Sequence, residues 1–210
     1  MADTLVTAIA DLKEEEALKM VRDRLASGED PLKILEDARS AMEIVGKRFA
    51  DCEYFIPDLV YSGEILSQIA DMTKGRVSKA VQPKKLGKCI VGTVAGDIHD
   101  IGKNIVVFML DVSGFEVIDI GVDVPPQKFI DKIKETDAGI VALSGFLTLA
   151  FDSMKQTVEA INAAGLRGKV KIMIGGGQID EHVRKYAGAD AYGVDAMTAV
   201  KLAKGWAGAK

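Results

Sequence analysis

Cysteine is scarce in this chain of 210 residues: Cys52 and Cys89 are the only two, far apart and in no metal-ligand spacing. A disulfide framework does not fit, and the pair is expected as buried free thiols in a reducing compartment. No apolar run approaches the roughly 18 residues that a membrane span needs. The opening MADTLVTAIADLKEEE is acidic, with no basic segment ahead of an apolar one, so the expectation is a soluble, cytoplasmic protein without a membrane partner. Basic residues do not dominate either. Lys and Arg number 27 against 31 Asp and Glu, a net charge of -4, which leaves no general basic surface for phosphate backbones and argues against nucleic acid. Histidine occurs only at His99 and His182, and the chain has no evident internal repeat or low-complexity tract.

What is present is a hydrophobic content of 48%, enough for a core, distributed in two different patterns. Up to about residue 82 the apolar positions recur at helical spacing, most clearly Leu35, Ala38, Met42, Val45 and Phe49. GEDPL supplies a turn, an acidic start and Pro31 in a first helical turn. With EEEALKMVRDRLA before it, a helix after Pro57 carrying Leu59, Leu66 and Ile69, and a short segment near residues 4 to 10, four helices are expected as a small bundle. Residues 83 to 88, in the stretch VQPKKLGK, read as a linker. From residue 89 to 210, β-rich runs CIVGTV, FEVID, GIVALS, VKIMIG and DAYGV alternate with helical segments. That alternation predicts an α/β domain with a parallel sheet covered on both faces. Five strands favour the flavodoxin-like order 2-1-3-4-5 over a six-stranded Rossmann dinucleotide fold.

In such a sheet ligands bind beyond the carboxyl ends of the strands, where strand order reverses. The loops AGDIHDIG, SGFLT and GGGQ are thereby placed on one edge, carrying Asp97, His99, Ser144, Thr148 and Gly175 to Gly177. His99 follows Asp97 by two residues, and in extended chain such residues project to the same side. The carboxylate can then hold one imidazole nitrogen and leave the other free, as carboxylates do behind metal-bound histidines. The competing structural reading has Asp97 capping the helix near Ile101 and His99 as a loop residue. GDIHDIGKN also invites comparison with a phosphate loop, but five residues separate Gly96 from Gly102-Lys103 where that motif has four, and Asn104 replaces the required hydroxyl. No G-x-G-x-x-G follows the first strand. His182, in DEHVRK, reads as solvated. The glycines of GGGQ fit either a simple turn or close approach of a ligand to the backbone.

Taken together, Asp97-x-His99-x-x-Gly102, Ser144 with Thr148, and Gly175-Gly176 resemble the cobalamin-binding domain of B12-dependent methyltransferases such as methionine synthase. GTVAGDIHDIGKNIV is similar to that family's signature almost throughout, and PLKILEDARSAMEIVGKRFADCEYFIPDLVYSGEIL resembles its helical cap. The resemblance covers essentially the whole chain and is to the small stand-alone corrinoid proteins of methylamine, methanol and aromatic methyl ether methyltransferase systems.

The resemblance implies a corrinoid cofactor cycling through Co(I), Co(II) and Co(III)-methyl states, with His99 as the lower cobalt ligand and Asp97 tuning it. Ser144 and Thr148 would bond the displaced nucleotide tail, with Gly102, Gly175 and Gly176 also at the cofactor. Phe49, Ile56, Leu59 and Val60 match the apolar lining of the cap over the methyl-bearing face, although each also fits helical core. Relatives that extend the relay with a serine have it where Ala150 stands here, so a His–Asp pair completed by water or backbone is expected.

The implied role is a methyl carrier, a component of an enzyme system and not a complete enzyme. Its partners would be a substrate-specific methyltransferase, a second one passing the methyl group to tetrahydrofolate or another acceptor, and a reductive activase. SGFLTLAFDSMK and IMIGGGQ lean toward an aromatic O-demethylase system. A cobalamin-dependent sensor and the small subunit of a radical mutase are the alternatives.

Overall fold

The computed structural model describes residues 4–74 and 85–208, and the chain divides into two compact units, Met1–Lys84 and Lys85–Lys210. In the stretch read as a linker, residues 81–84 lie outside the described residues. Residues 85–88 are bonded to the second unit: Leu86 N–H donates to Gly114, Lys85 Nζ to the Phe115 carbonyl, and Lys88 opens the first strand.

The first unit has helices α1 (Leu5–Ala10), α2 (Glu14–Ala26), α3 (Pro31–Ala50) and α4 (Ile56–Lys74). Thr4 and Thr7 form a reciprocal capping box on α1, and Asp30 caps α3 by accepting from Leu32 N–H at 2.9 Å, with Pro31 just inside. The buried stripe of α3 is Ile34, Ala38, Ala41, Met42 and Val45. Leu35 and Phe49, expected on that face, are only partly buried, because α3 turns its small residues inward. Ala8, Ala17, Ala38 and Ala41 let the helices approach closely around Ile9, Ile34, Ile65 and Ile69. Arg24 joins Glu29 and Asp37, and Arg48 joins Asp11, Tyr54 and the Ala10 carbonyl, fixing the helix ends.

Cys52 departs from expectation. It is exposed, not buried, because it lies just past α3 in a left-handed conformation (φ 60°), its N–H closing on the Phe49 carbonyl. Cys89 is buried in the sheet, and that burial pushes its thiol up to about 12. Both thiols are free.

The second unit alternates strand and helix: β1 (Lys88–Thr93), α5 (Ile101–Val112), β2 (Glu116–Asp119), α6 (Pro126–Thr136), β3 (Ile140–Ser144), α7 (Ala150–Ala163), β4 (Lys171–Gly175), α8 (Glu181–Ala187), β5 (Ala191–Gly193) and α9 (Ala196–Trp206). All pairings are parallel, in the order β2-β1-β3-β4-β5. Right-handed crossovers put α5 on one face and α6 to α8 on the other, since the chain steps from β1 outward to β2 and then runs the opposite way across the sheet to β3, β4 and β5. Accordingly α5 packs with α9, whereas α6 packs with α7 and α7 with α8. Ile90, Val141, Leu143, Ile172 and Ile174 meet Phe129, Ile133, Met154 and Ile161 in a continuous core. Among the described residues, no helix is long and apolar enough to cross a membrane.

Candidate functional site

Thr93, Ser144, Gly175 and Gly193 lie in one register row at the carboxyl ends of β1, β3, β4 and β5. The reversal between β1 and β3 opens beside this row, and the loop of residues 94–100 emerges there. Three anchors hold it. Thr93 Oγ1 donates to the His99 carbonyl at 2.9 Å, Asp123 N–H donates to the Asp97 carbonyl at 2.9 Å, and Gly96 N–H donates to Asp123 Oδ1 at 2.8 Å.

Asp97 is fully buried and uses both oxygens. Oδ1 accepts from the His99 backbone N–H at 2.9 Å and lies 2.7 Å from His99 Nδ1. Oδ2 accepts from the N–H groups of Phe146 at 2.6 Å and Leu147 at 3.0 Å, in the loop after β3. Burial pushes this carboxyl up, but the hydrogen bonds from the three backbone N–H groups and the imidazole outweigh it and hold the group well below the usual carboxylate range. An ionised carboxylate only accepts, so Nδ1 of His99 donates to it, and Nε2 has no hydrogen-bond partner among the described residues. The His99 side chain is 51% exposed. A buried anion thus holds Nδ1 and leaves the other ring nitrogen, Nε2, on a half-exposed side chain.

The capping alternative for Asp97 does not describe this geometry. The residue before α5 is Asp100, which makes no side-chain cap bond, and both oxygens of Asp97 are engaged elsewhere. The phosphate-loop comparison also fails at Lys103, which is buried and bonded to Asp119 Oδ2 and Asn104 Oδ1. Its charge is committed to an internal pair. His182 is exposed in the first turn of α8.

Of the residues singled out from sequence, Asp97, His99, Ser144 and Gly175 come together on the edge. Ser144 is half-buried and Thr148 exposed in the next loop, and neither hydroxyl has a hydrogen-bond partner among the described residues. A Cβ at Gly102 would meet nothing within 4 Å, leaving open space above the first turn of α5. Gly176 and Gly177 serve the protein's own packing: a Cβ at Gly176 (φ 148°) would stand 1.8 Å from the Gly145 carbonyl oxygen, and one at Gly177 2.5 Å from the Phe146 ring. Gly176→Ala combines a collision with backbone and a glycine-only conformation, so it should cost about 1–3 kcal/mol, read as a lower denaturant midpoint at unchanged m. Phe49, Ile56, Leu59 and Val60 belong to the other unit. Leu59 is core at 3% exposure and Phe49 half-buried, whereas Ile56 (46%) and Val60 (57%) stand in solvent near Phe55 in sequence.

Sequence reasoning missed the Phe146 and Leu147 N–H groups, Thr93 and Asp123. It also missed an apolar rim of exposed side chains around the edge: Ile98, Ile101, Phe146, Leu147, Leu149 and Val194. Apolar residues concentrated on loops suit a large, largely apolar ligand face. Among the described residues no three His, Cys, Asp or Glu side chains gather to hold a metal ion. A single outward nitrogen is instead the donor set required by a metal that arrives in a macrocycle and lacks one axial ligand. The free Ser144 and Thr148 hydroxyls and the space above Gly102 complete that fit.

Comparison with known proteins agrees with this chemistry. The chain matches the B12 binding domain family over residues 87–201 and again, with a second domain of that description, over residues 1–74. It is 37% identical over 199 residues to trimethylamine corrinoid protein 1 of Methanosarcina mazei, covering 94% of this chain and 92% of that one. The dimethylamine corrinoid protein of Methanosarcina barkeri is 38% identical over 202 residues, covering 95% and 94%. A crystal structure of a cobalamin-binding protein from Desulfitobacterium hafniense DCB-2 superposes with a TM-score of 0.82 at 41% identity, covering 96% of each chain. The nitrogen that Asp97 aims outward therefore stands in a chain that belongs to the B12-binding family, with a corrinoid as its cofactor.

Proposed function

We propose that this protein is a methyl carrier in a corrinoid methyltransferase system, in which His99 would hold the cofactor's cobalt. The carrying observation is the exposed His99 imidazole, its Nδ1 proton held by buried Asp97 and its Nε2 free. The corrinoid supplies a cobalt centre able to accept and release a methyl group. The chain's own residues do the rest. Asp97 fixes the tautomer and orientation of His99, so protonation at Nε2 and ligation through it exclude one another. Ser144 and Thr148 offer hydroxyls to the nucleotide tail, with Gly175 beside them in the register row. On the helical unit, Ile56 and Val60 present exposed apolar side chains, Phe49 is half-buried and Leu59 is core. Activation of the methyl donor falls to a partner methyltransferase.

The relatives carry methylamine names. An aromatic methyl ether donor and tetrahydrofolate as acceptor, the reading favoured by SGFLTLAFDSMK, belong to the proposal as its specific form. The reduced holoprotein, mixed with a candidate partner methyltransferase, should change its corrinoid spectrum with one donor among trimethylamine, dimethylamine, methanol and an aryl methyl ether. The change should require the partner, and adding the second methyltransferase with tetrahydrofolate should reverse it. No response to any donor would favour a sensor and overturn the carrier reading.

A further inference from the structure

We infer that Phe146 is a positioning residue for His99: its ring backs the imidazole, and Gly177 is glycine so that this ring can be seated. The inference rests on the proposal that His99 ligates the cofactor, and it adds a specific demand on the loop after β3. His99 is held at Nδ1 by one hydrogen bond to Asp97. One bond fixes a point and leaves the ring free to pivot about it. The Phe146 ring lies 4.7 Å from the imidazole between centroids, tilted by 32°, within the range of favourable aromatic pairs. It therefore obstructs the pivot that Asp97 alone permits. Phe146 cannot easily drift, because its own N–H donates to Oδ2 of the same carboxylate at 2.6 Å. Main chain and side chain of one residue thus address the two halves of the His–Asp pair. The ring is 49% exposed, so a role in core stability does not explain it.

Gly177 closes the chain of contacts. Its backbone is outside the left-handed region, so alanine is conformationally allowed, and the three nearest atoms a Cβ would meet all belong to the Phe146 ring, the closest at 2.5 Å. A half-exposed ring yields more readily than backbone. Gly177→Ala should therefore act at a distance on His99 by displacing Phe146, and it should do nothing further once Phe146 is gone.

The test uses the full chain in two states. In the cofactor-free protein, NMR of the His99 imidazole should show a ring-current displacement that Phe146→Ala removes and Gly177→Ala reduces. In the corrinoid-loaded protein at fixed pH, the imidazole-bound fraction read optically should fall about tenfold in its equilibrium constant for each variant, the lower end seen when supporting contacts behind a metal ligand are lost. The double variant should match Phe146→Ala alone, and Phe146→Tyr, which keeps the flat ring, should retain wild-type ligation. If the imidazole shifts are unchanged, the contact is wrong. If they change while ligation does not, the positioning role is wrong and the cofactor reading stands. If the double variant loses the product of both single losses, Gly177 does not act through Phe146. An imidazole signature that survives in His99→Ala would overturn the underlying reading itself.

Discussion

Substituting His99→Ala should give a chain that still folds and still takes up corrinoid, but with no imidazole bound to cobalt in optical or paramagnetic spectra. Folding is expected to survive because the side chain is half-exposed, and because the bonds that shape its loop come mostly from elsewhere: the His99 carbonyl and N–H, which alanine retains, and the Asp123 contacts. Retention of corrinoid follows from the apolar rim and the hydroxyls of Ser144 and Thr148, which the substitution leaves in place. The expected loss of ligation is complete, because His182, the other histidine, sits on α8 and no second imidazole serves this loop. Added free imidazole should restore a bound-nitrogen spectrum by entering the vacated space. A persistent signature without it would assign the ligand to another nitrogen and remove Asp97 from the chemistry as well.

Asp97 variants should reveal a second role for the same pair, in stability. Asp97→Ala strips four hydrogen bonds from one buried position and strands the Phe146 and Leu147 N–H groups. At about 1–3 kcal/mol for each buried group left unpaired, a loss of about 3 kcal/mol is expected. Asp97→Asn keeps the shape but not the pattern. All four partners are N–H donors, and an amide has one oxygen, so its NH2 must face donors on one side. An intermediate loss is expected, with corrinoid still bound. The pH dependence has a defined sign. Because the folded carboxyl is held below its ordinary value, its stabilisation is fully present above the unfolded value of about 4 and is lost as pH falls through the folded one. The deficit of Asp97→Asn relative to wild type should therefore be constant near neutrality and shrink on acidification from about pH 5, as followed by urea unfolding. A deficit independent of pH would mean that the bonds to Asp97 do not depend on its charge.

Much of this architecture was legible before any coordinates. The β-branched runs marked all five strands because a parallel sheet buried on both faces needs continuous apolar segments. Counting five of them led to the observed strand order. The Asp97–His99 contact was legible for a local reason, two residues of extended chain. Illegible were contacts whose partners are remote in sequence and carry no side-chain chemistry. The N–H groups that complete Asp97 lie 49 and 50 residues away, and every residue but proline has one. Gly176 and Gly177 were visible as glycines but not in their reason, since the carbonyl and ring that exclude a Cβ belong to the loop after β3. Cys52 was misplaced because its exposure depends on a left-handed turn that the residue type does not announce.

Lys103 and Asp119 tie the start of α5 to the end of β2, just as Thr93, Asp123 and Asp97 tie the loop before it. These bonds fix the backbone of the loop at Gly96, Asp97 and His99. The conformational entropy of forming this loop is thus charged to folding, and it does not recur when the corrinoid arrives. Tied in this way, the loop needs no partner to bring Asp97 and His99 together, and the pair meets whatever binds at this edge as a unit already formed.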